Sequence, residues 1–589
     1  MKFLKNNHTN WLYILLIIVM AFLVEIGIFE FSKKETEFND SNPLEVSSEK
    51  NENPQSSNNS QKTEKEKEIT NLTEFRNSVV KFVRQAAVNF LENKDNPYPQ
   101  ELEIEGNWDI KISAYLEGKL EEEGRSQSEN GFLAPALEKT VQETLKNPFS
   151  RLKENIEKTV FLITFNYNSS KEFSFVEYKN QGKEVQKGLV IYRDLNKEII
   201  EENIQEAKEF LFRAQNEETG GFYKKYDALN DDFGNIVHAV YSASIVYTLL
   251  KIYDYDKDPK ILEAVSEGTD FLLFMQNRDE TDLNYGAFHY SYDLNKEEKE
   301  EKFVVGTAAL SIFTLLDLYQ REEKRQYLEA ARLAGNWLIT MQKEDGSMQS
   351  YRRKLVQGNW YESKQESLLY NGQVLSAFSR LYRETEEEKY FQSAQKIAQK
   401  FVNKVAEEGC YLGDDYRIKN PISSAWVVMS LWDFYKIEGK KEHRDIILRC
   451  SQELLKRQSQ NKDDPLSFGS FNGAYSSSGN GWLAEVMMEM YYFCQEEKQN
   501  DCNNYKEGII KIIFWLNQNT YTQENSFSLP NSQISQGGLF WNYKDKYVRT
   551  DSICHGVNAY VGVINDLDDQ FYFALAEKDF ETVLESLKN

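Results

Sequence analysis

The chain has 589 residues, 94 acidic and 70 basic, for a net charge of −24. That acidic excess excludes nucleic acid and works against an anionic lipid surface as an electrostatic partner, because phosphate binding needs a basic face. The length calls for two or three folded units with appendages rather than one core. An aromatic content of 13%, with 34 Tyr and 9 Trp, leaves rings beyond those a core requires.

Residues 1–10 read as a short cytoplasmic tail, and residues 11–30 as a transmembrane anchor. Trp11 to Val24 is uninterruptedly apolar or aromatic and resumes after Glu25 with Ile26, Gly27, Ile28 and Phe29. At ~1.5 Å per residue such a helix just spans a bilayer. Lys2 and Lys5 precede it and acidic, polar sequence follows, so the positive-inside rule places the N-terminus in the cytoplasm and the bulk outside. No small-residue cleavage site follows the apolar run, which argues against a removed signal peptide. Residues 31–70, rich in Glu, Asn, Ser and Lys, bury too little to order themselves and read as a disordered linker.

Residues 71–195 read as a small α+β domain. A helix is expected over Glu74 to Leu91, a period-two strand over Trp108 to Tyr115, a second helix over Ala134 to Leu145, and strands over Thr159 to Tyr167 and Gly188 to Tyr192. The polar, glycine-marked segment Gly118 to Ser128 is expected to be a solvated hairpin connection with no chemistry.

Residues 196–589 repeat one phrase six times: an amphipathic helix, a loop pairing glycine with an aromatic or apolar residue, and a more uniformly apolar helix. The loops contain Gly220-Gly221-Phe222-Tyr223, Tyr285-Gly286-Ala287-Phe288, Asp345-Gly346-Ser347-Met348, Gly409-Cys410-Tyr411, Phe468-Gly469-Ser470-Phe471 and Gly537-Gly538-Leu539-Phe540. The amphipathic helices are predicted over Ile199–Gln215, Lys260–Gln276, Gln326–Gln342, Lys389–Val405, Glu442–Gln458 and Tyr505–Gln518. The apolar helices are predicted over Asn235–Tyr253, Phe303–Tyr319, Ser367–Arg383, Ser423–Tyr435, Gly481–Cys494 and Ser552–Leu567, and they are enclosed on both sides. Six alternations of exposed and enclosed helices predict a mainly α fold, an (α/α)6 double-ring toroid. Links from inner to outer helices are short and charged. The reverse links are far longer than the usual ~4–6 residues and all fall on one rim, where function concentrates on a rigid scaffold.

Five cysteines leave at least one unpaired, and Cys494 with Cys502 either bridge a short turn or stand as two thiols. Several carboxylates precede inner helices. Asp232, Glu362, Asp415 and Asp551 are candidate catalytic residues, although acids at helix starts also serve as caps. Asp551 stands four residues before His555 and is expected to orient it as a general base, since residues four apart share a helix face. His238 fits a histidine held in a helix interface. Rings and cations on the loops suit a saccharide: Tyr223, His289, Tyr290, Tyr361, Tyr475, Trp482 and Trp541 for stacking, and Arg352, Arg353, Arg417 and Arg549 for a uronic-acid carboxylate.

The repeat block resembles the six-hairpin toroid proteins, which include glycoside hydrolases, polysaccharide lyases and sugar epimerases. Phe210 to Gln215 leading to Gly220-Gly221-Phe222, and Trp337 to Gln342 leading to Asp345-Gly346-Ser347, are also similar to the QW repeats of terpenoid-cyclase and prenyltransferase toroids. The cyclase acid motif is absent, since Asp227 to Asp232 reads Asp-Ala-Leu-Asn-Asp-Asp. Cys554-His555-Gly556 resembles the zinc motif of lanthionine cyclases, which implies a third ligand at Cys410. Those residues lie on nonadjacent repeats, so no cofactor or metal is assigned. Together with the anchor read from residues 11–30, the resemblance implies a membrane-anchored, extracytoplasmic carbohydrate-active protein, acting on a saccharide or polysaccharide by cleavage or epimerisation. The alternatives are a noncatalytic glycan- or peptide-binding surface protein and a terpenoid, prenyl or zinc-dependent cyclase-like enzyme.

Overall fold

The computed structural model describes residues 61–566 except 117–118, 168–170, 179–180, 187–189, 192–194, 463–466, 524 and 543–544. The expected tail and anchor, and most of the expected linker, lie outside the described residues. No helix among the described residues is long and apolar enough to cross a membrane. The described residues from Glu64 onward form one compact unit containing two large hydrophobic cores.

The smaller core runs from Phe75 to Phe165. A helix over Gln61–Glu92, starting within the stretch expected to be linker, and a helix over Leu133–Leu145 accompany a six-stranded antiparallel sheet. The strands are β1 (Glu105–Leu116), β2 (Lys119–Phe132), β3 (Val160–Tyr167), β4 (Lys171–Tyr178), β5 (Gln181–Gln186) and β6 (Val190–Ile191), in the order β2-β1-β3-β4-β5-β6. The segment expected to be a solvated connection is therefore mostly strand β2, paired along β1. Its inward positions are small, Gly124 and Ser126, so the strand lies close against Thr144 and Thr140 of the second helix. Small polar residues hid the alternation that large apolar ones would have displayed.

The larger core spans Leu195 to Val563. Six inner helices, Ala239–Asp256, Val305–Glu322, Leu368–Thr385, Pro421–Glu438, Ser477–Glu496 and Thr550–Asp566, each pack against the next, and the sixth packs back on the first. Six outer helices surround them: Lys197–Arg213, Pro259–Met275, Arg325–Thr340, Glu388–Glu408, Lys441–Leu455 and Cys502–Gln518. The first outer helix packs on the sixth inner one, and the Asn203 amide donates to Asn517 at 2.9 Å, so chain ends close the ring. The fold is an (α/α)6 toroid.

Local chemistry explains the short links. After four inner helices a single residue in the left-handed region, Lys257, Glu323, Glu386 or Gly439, donates its N–H to a tyrosine carbonyl four residues back. The partners are Tyr253, Tyr319, Tyr382 and Tyr435. Each such cap stops the helix and reverses the chain within two residues.

The recurring glutamine and glycine phrase braces the outer ring. Gln276 Nε2 donates to Gly286 O and to Ala330 O of the following outer helix, both at 2.9 Å. Gln215, Gln342 and Gln458 repeat this double bond to Ala264, Ser393 and Gly508 of their own successors. Gly286 holds φ +89°, and an added Cβ would lie 2.4 Å from Leu333 O, so only glycine lets the loop touch the neighbouring helix. The apolar residues that follow, Phe222, Phe288, Met348, Phe471 and Phe540, are buried and contribute about 1.5–3 kcal/mol each through apolar burial. The fourth repeat has no such glutamine. There Cys410 is joined to Cys450 on the next outer helix, a covalent brace in the equivalent place. Cys494 and Cys502 form a second disulfide across the turn after the fifth inner helix.

Candidate active site

Polar residues of the inner helices meet in two chambers along the toroid axis. The upper one, about 420 Å³, is lined by N-terminal turns of inner helices and by rim residues, among them Tyr241, Tyr290, Tyr370, Trp426, Trp482 and Trp541. The lower one, about 360 Å³, lies among the later turns and holds Lys251, Arg380, Asp433, Glu485 and Glu489. Ser244, Leu310, Trp426, Trp482 and His555 line both. His555 therefore stands where the chambers meet, beside the stacked rings of Trp426 and Trp482, whose centroids are 3.8 Å apart.

His555 Nδ1 lies 2.5 Å from Glu485 Oε1, and the other oxygen of Glu485 accepts from Asn558 at 3.0 Å. The fifth and sixth inner helices approach closely because residue 481 is glycine. A Cβ there would meet Gly556 N and His555 Cβ at 2.9 Å. Burial by itself would lower the pKa of His555, but the Glu485 charge and hydrogen bond outweigh it and raise it above the ordinary histidine value. With Nδ1 engaged, Nε2 is the ring nitrogen left to exchange a proton with a ligand.

Asp551 has a different partner from the one expected. Arg549 grips it with two bonds, at 2.9 and 2.8 Å, and Ser478 Oγ donates to it at 2.9 Å. Helical spacing put Asp551 near His555, but the guanidinium two residues earlier takes its carboxylate. Glu485 orients the imidazole instead. Arg549 also donates to Tyr241 Oη at 2.8 Å and lies over the Trp541 ring, so it holds an upper wall of the chamber together.

Of the residues singled out in the sequence, Tyr290, Arg417, Trp482, Trp541, Arg549, Asp551 and His555 line the upper chamber. Arg353 lines a smaller pocket beside it, and the others lie outside the chamber. Asp232 is exposed and accepts from Gly234 N at 2.7 Å, within its own turn. Glu362 pairs across a hairpin with buried Arg352, which also donates to Asn284, so both serve rim structure. Asp415 accepts from Glu366 N at 2.7 Å, tying two rim loops, as Asp414 does through Leu368 N. His289 holds Glu300 O through Nδ1 and packs on Phe303. Tyr223 accepts from Asn216, while Tyr361 and Tyr475 are exposed away from the chambers. His238 sits edge-on to Tyr241 and Tyr290, and burial, with help from Lys224 and Lys302, lowers its pKa to about 3.

The zinc-type constellation does not assemble. Cys410 is in a disulfide, and burial pushes the Cys554 thiol far above the usual range. The chamber is also not the dry apolar cavity that a prenyl substrate requires.

Glu485 escaped sequence reading because it lies inside the fifth inner helix and not on a rim loop. Its signal was present, since it is a lone acid in the apolar run Trp482-Leu483-Ala484-Glu485-Val486-Met487. A carboxylate on a helix enclosed from both sides needs a partner. Asp433 and Arg380, paired at 3.4 Å on neighbouring inner helices, carry the same signal.

The sequence matches no family model and no curated protein. Among solved structures it is similar to cellobiose 2-epimerase from Bacillus thermoamylovorans B4167, with a TM-score of 0.50 and 13% identity over 63% of this chain and 100% of that one. Cellobiose 2-epimerase from Spirochaeta thermophila DSM 6192 matches with a TM-score of 0.47 and 14% identity over 63% and 97% of the two chains. An α-1,6-mannanase from Salegentibacter sp. HEL1_6 matches with a TM-score of 0.45 and 13% identity over 62% and 98%. The first of these likenesses supports the six-hairpin toroid fold, and at that identity it speaks to fold alone.

Proposed function

We propose that the toroid is a saccharide-processing enzyme whose central step is proton transfer at a sugar carbon, as in epimerisation, with His555 as the base and Glu485 as its orienting partner. The observation that carries this reading is the bonded His555 and Glu485 pair at the junction of two chambers, beside stacked tryptophans that suit the apolar face of a sugar ring. A cellobiose 2-epimerase shares the fold, which makes a disaccharide a sensible first substrate. Hydrolysis by two carboxyl groups fits less well. Asp551 is held by Arg549 and Glu485 by His555 and Asn558, so neither is free to protonate a leaving oxygen or to attack.

The anchored, extracytoplasmic placement expected from residues 1–30 is part of the same proposal. Two disulfide bonds support it, because such bonds persist in oxidising compartments.

The test is incubation of the full chain with a panel of neutral and acidic disaccharides in D2O, followed by NMR for deuterium at the sugar carbons, for epimers and for released monosaccharide. Deuterium incorporation that disappears in His555→Asn is the expected result. Bond cleavage without exchange, or saccharide binding with neither, overturns the assignment in favour of a hydrolase or a receptor respectively.

A further inference from the structure

A side pocket of about 220 Å³ opens from the upper chamber and shares Tyr290, Val304, Tyr370 and Arg417 with it. Its walls hold three cations, Lys302, Arg353 and Arg417, four tyrosines, and no carboxylate. From these walls we infer an anion-binding subsite for a carboxylated or sulfated sugar ring adjoining the one that reacts. The inference rests on the saccharide reading above and names the substrate class within it.

The disposition of charge is unusual for this molecule. The chain carries 24 more acids than bases, and many of its exposed lysines and arginines have a carboxylate within 4 Å. Lys302, Arg353 and Arg417 make no ion pair with a described residue. Lys302 and Arg353 are moreover direct partners across an antiparallel strand pair. Like charges placed opposite each other destabilise a sheet, and an anion between them converts that repulsion into attraction. The next residue on the same strand shows the contrast, since Lys354 has Glu301 at 3.7 Å.

Ring geometry supports a sugar in place of a bare ion. Lys302 Nζ lies over Tyr290 at 4.5 Å and reaches Tyr351 at 5.7 Å, and Tyr416 is steadied by Ser363 at 3.0 Å. Tyrosine faces take the C–H surface of a pyranose, while the two guanidinium forks and the ammonium take its acidic substituent. Because the pocket shares walls with the chamber of His555, a disaccharide reaches from one into the other.

The experiment is calorimetric titration of the full chain with a uronic-acid disaccharide, a sulfated disaccharide and an uncharged disaccharide at two salt concentrations. The tighter binder of the two acidic probes identifies the substituent. The wild type is expected to prefer an acidic probe over the uncharged one by about tenfold or more, as for charge-assisted hydrogen bonds, with the preference shrinking in salt. Lys302→Gln combined with Arg353→Gln, both outside the upper chamber, should sharply reduce the preference while leaving uncharged binding intact, and adding Arg417→Gln, on an exposed loop, should erase what remains. Lys354→Gln should leave it unchanged. Equal affinity for charged and uncharged probes, or loss of both together in the variants, overturns the subsite. Acid-selective binding that depends on these three cations without any proton exchange at carbon retires the enzymatic reading and leaves the subsite standing. Turnover of uncharged disaccharide with no acidic preference does the reverse.

Discussion

Replacing Glu485 by glutamine preserves shape and removes charge at the contact that orients His555. The Nδ1 to Oε1 distance of 2.5 Å marks a charge-assisted bond in a partly enclosed site, with the imidazole side chain 26% and the carboxylate 16% exposed. A hydrogen bond to a charged group contributes about 1.5–3 kcal/mol. If the transition state carries an imidazolium, its loss slows proton abstraction by about 10- to 150-fold at neutral pH. The pH dependence should move as well. Glu485 stabilises the protonated ring and so raises its pKa against the opposing effect of burial. Without that charge burial dominates, the ring loses its proton at lower pH, and the acidic limb of kcat/KM shifts down. Stability follows the same linkage with a definite sign. A raised folded pKa contributes stability that is full below the unfolded histidine value of ~6.5 and lost as pH rises through the folded value. The wild-type advantage over Glu485→Gln is therefore largest on the acid side of that window and shrinks above it. NMR titration of the His555 ring in both proteins tests the premise without any substrate. An unshifted His555 titration would refute it, whatever the rate did.

Three further outcomes are expected. Gly481→Ala places a Cβ 2.9 Å from Gly556 N and His555 Cβ, so it should cost about 1–3 kcal/mol in denaturant unfolding and depress turnover; unchanged values for both would mean the two helices are not held at contact. Cys410→Ser with Cys450→Ser opens a loop of sequence separation 40 and should lower unfolding free energy by about 4 kcal/mol. The corresponding change at Cys494 and Cys502, of separation 8, should cost nearer ~2–3 kcal/mol by the same loop-entropy relation; an equal or reversed order counts against the brace. Asp433 is buried between Arg380 and Lys436. Burial would raise its pKa, but the two cations prevail and lower it to about 2. Its contribution, roughly 2 kcal/mol, is present above the unfolded carboxylate value of ~3.9 and is lost as pH falls through about 2. Asp433→Asn should cost about 3–5 kcal/mol at pH 7 by leaving two cations unpaired, with a smaller difference at pH 2, measured by denaturant titration at both.

The amino-acid sequence by itself determined the ring. Helical periodicity, enclosure and link length are local properties, so six alternations of exposed and enclosed helices with long links on one side specify a closed double layer before any contact is known. It also placed Trp482, Asp551 and His555 at the upper chamber, because each stands at the start of an inner helix. The glycine and aromatic phrases looked like ligand loops from sequence. Most of their aromatic residues are instead buried braces, since the glutamine bonds that give them that role join helices about fifty residues apart.

Only tertiary structure decided which charge meets which. Asp551 and His555 share a helical face, yet Arg549 holds the first and Glu485, from another helix, holds the second. Arg352 goes to Glu362 by strand register, leaving Arg353 beside it to face Lys302. Cys410 meets Cys450 only because neighbouring outer helices lie side by side. Glu485 and His555 are 70 residues apart and Cys410 and Cys450 are 40 apart, and whether a carboxylate caps a turn, neutralises an arginine or polarises a histidine depends on distances that the folded ring sets.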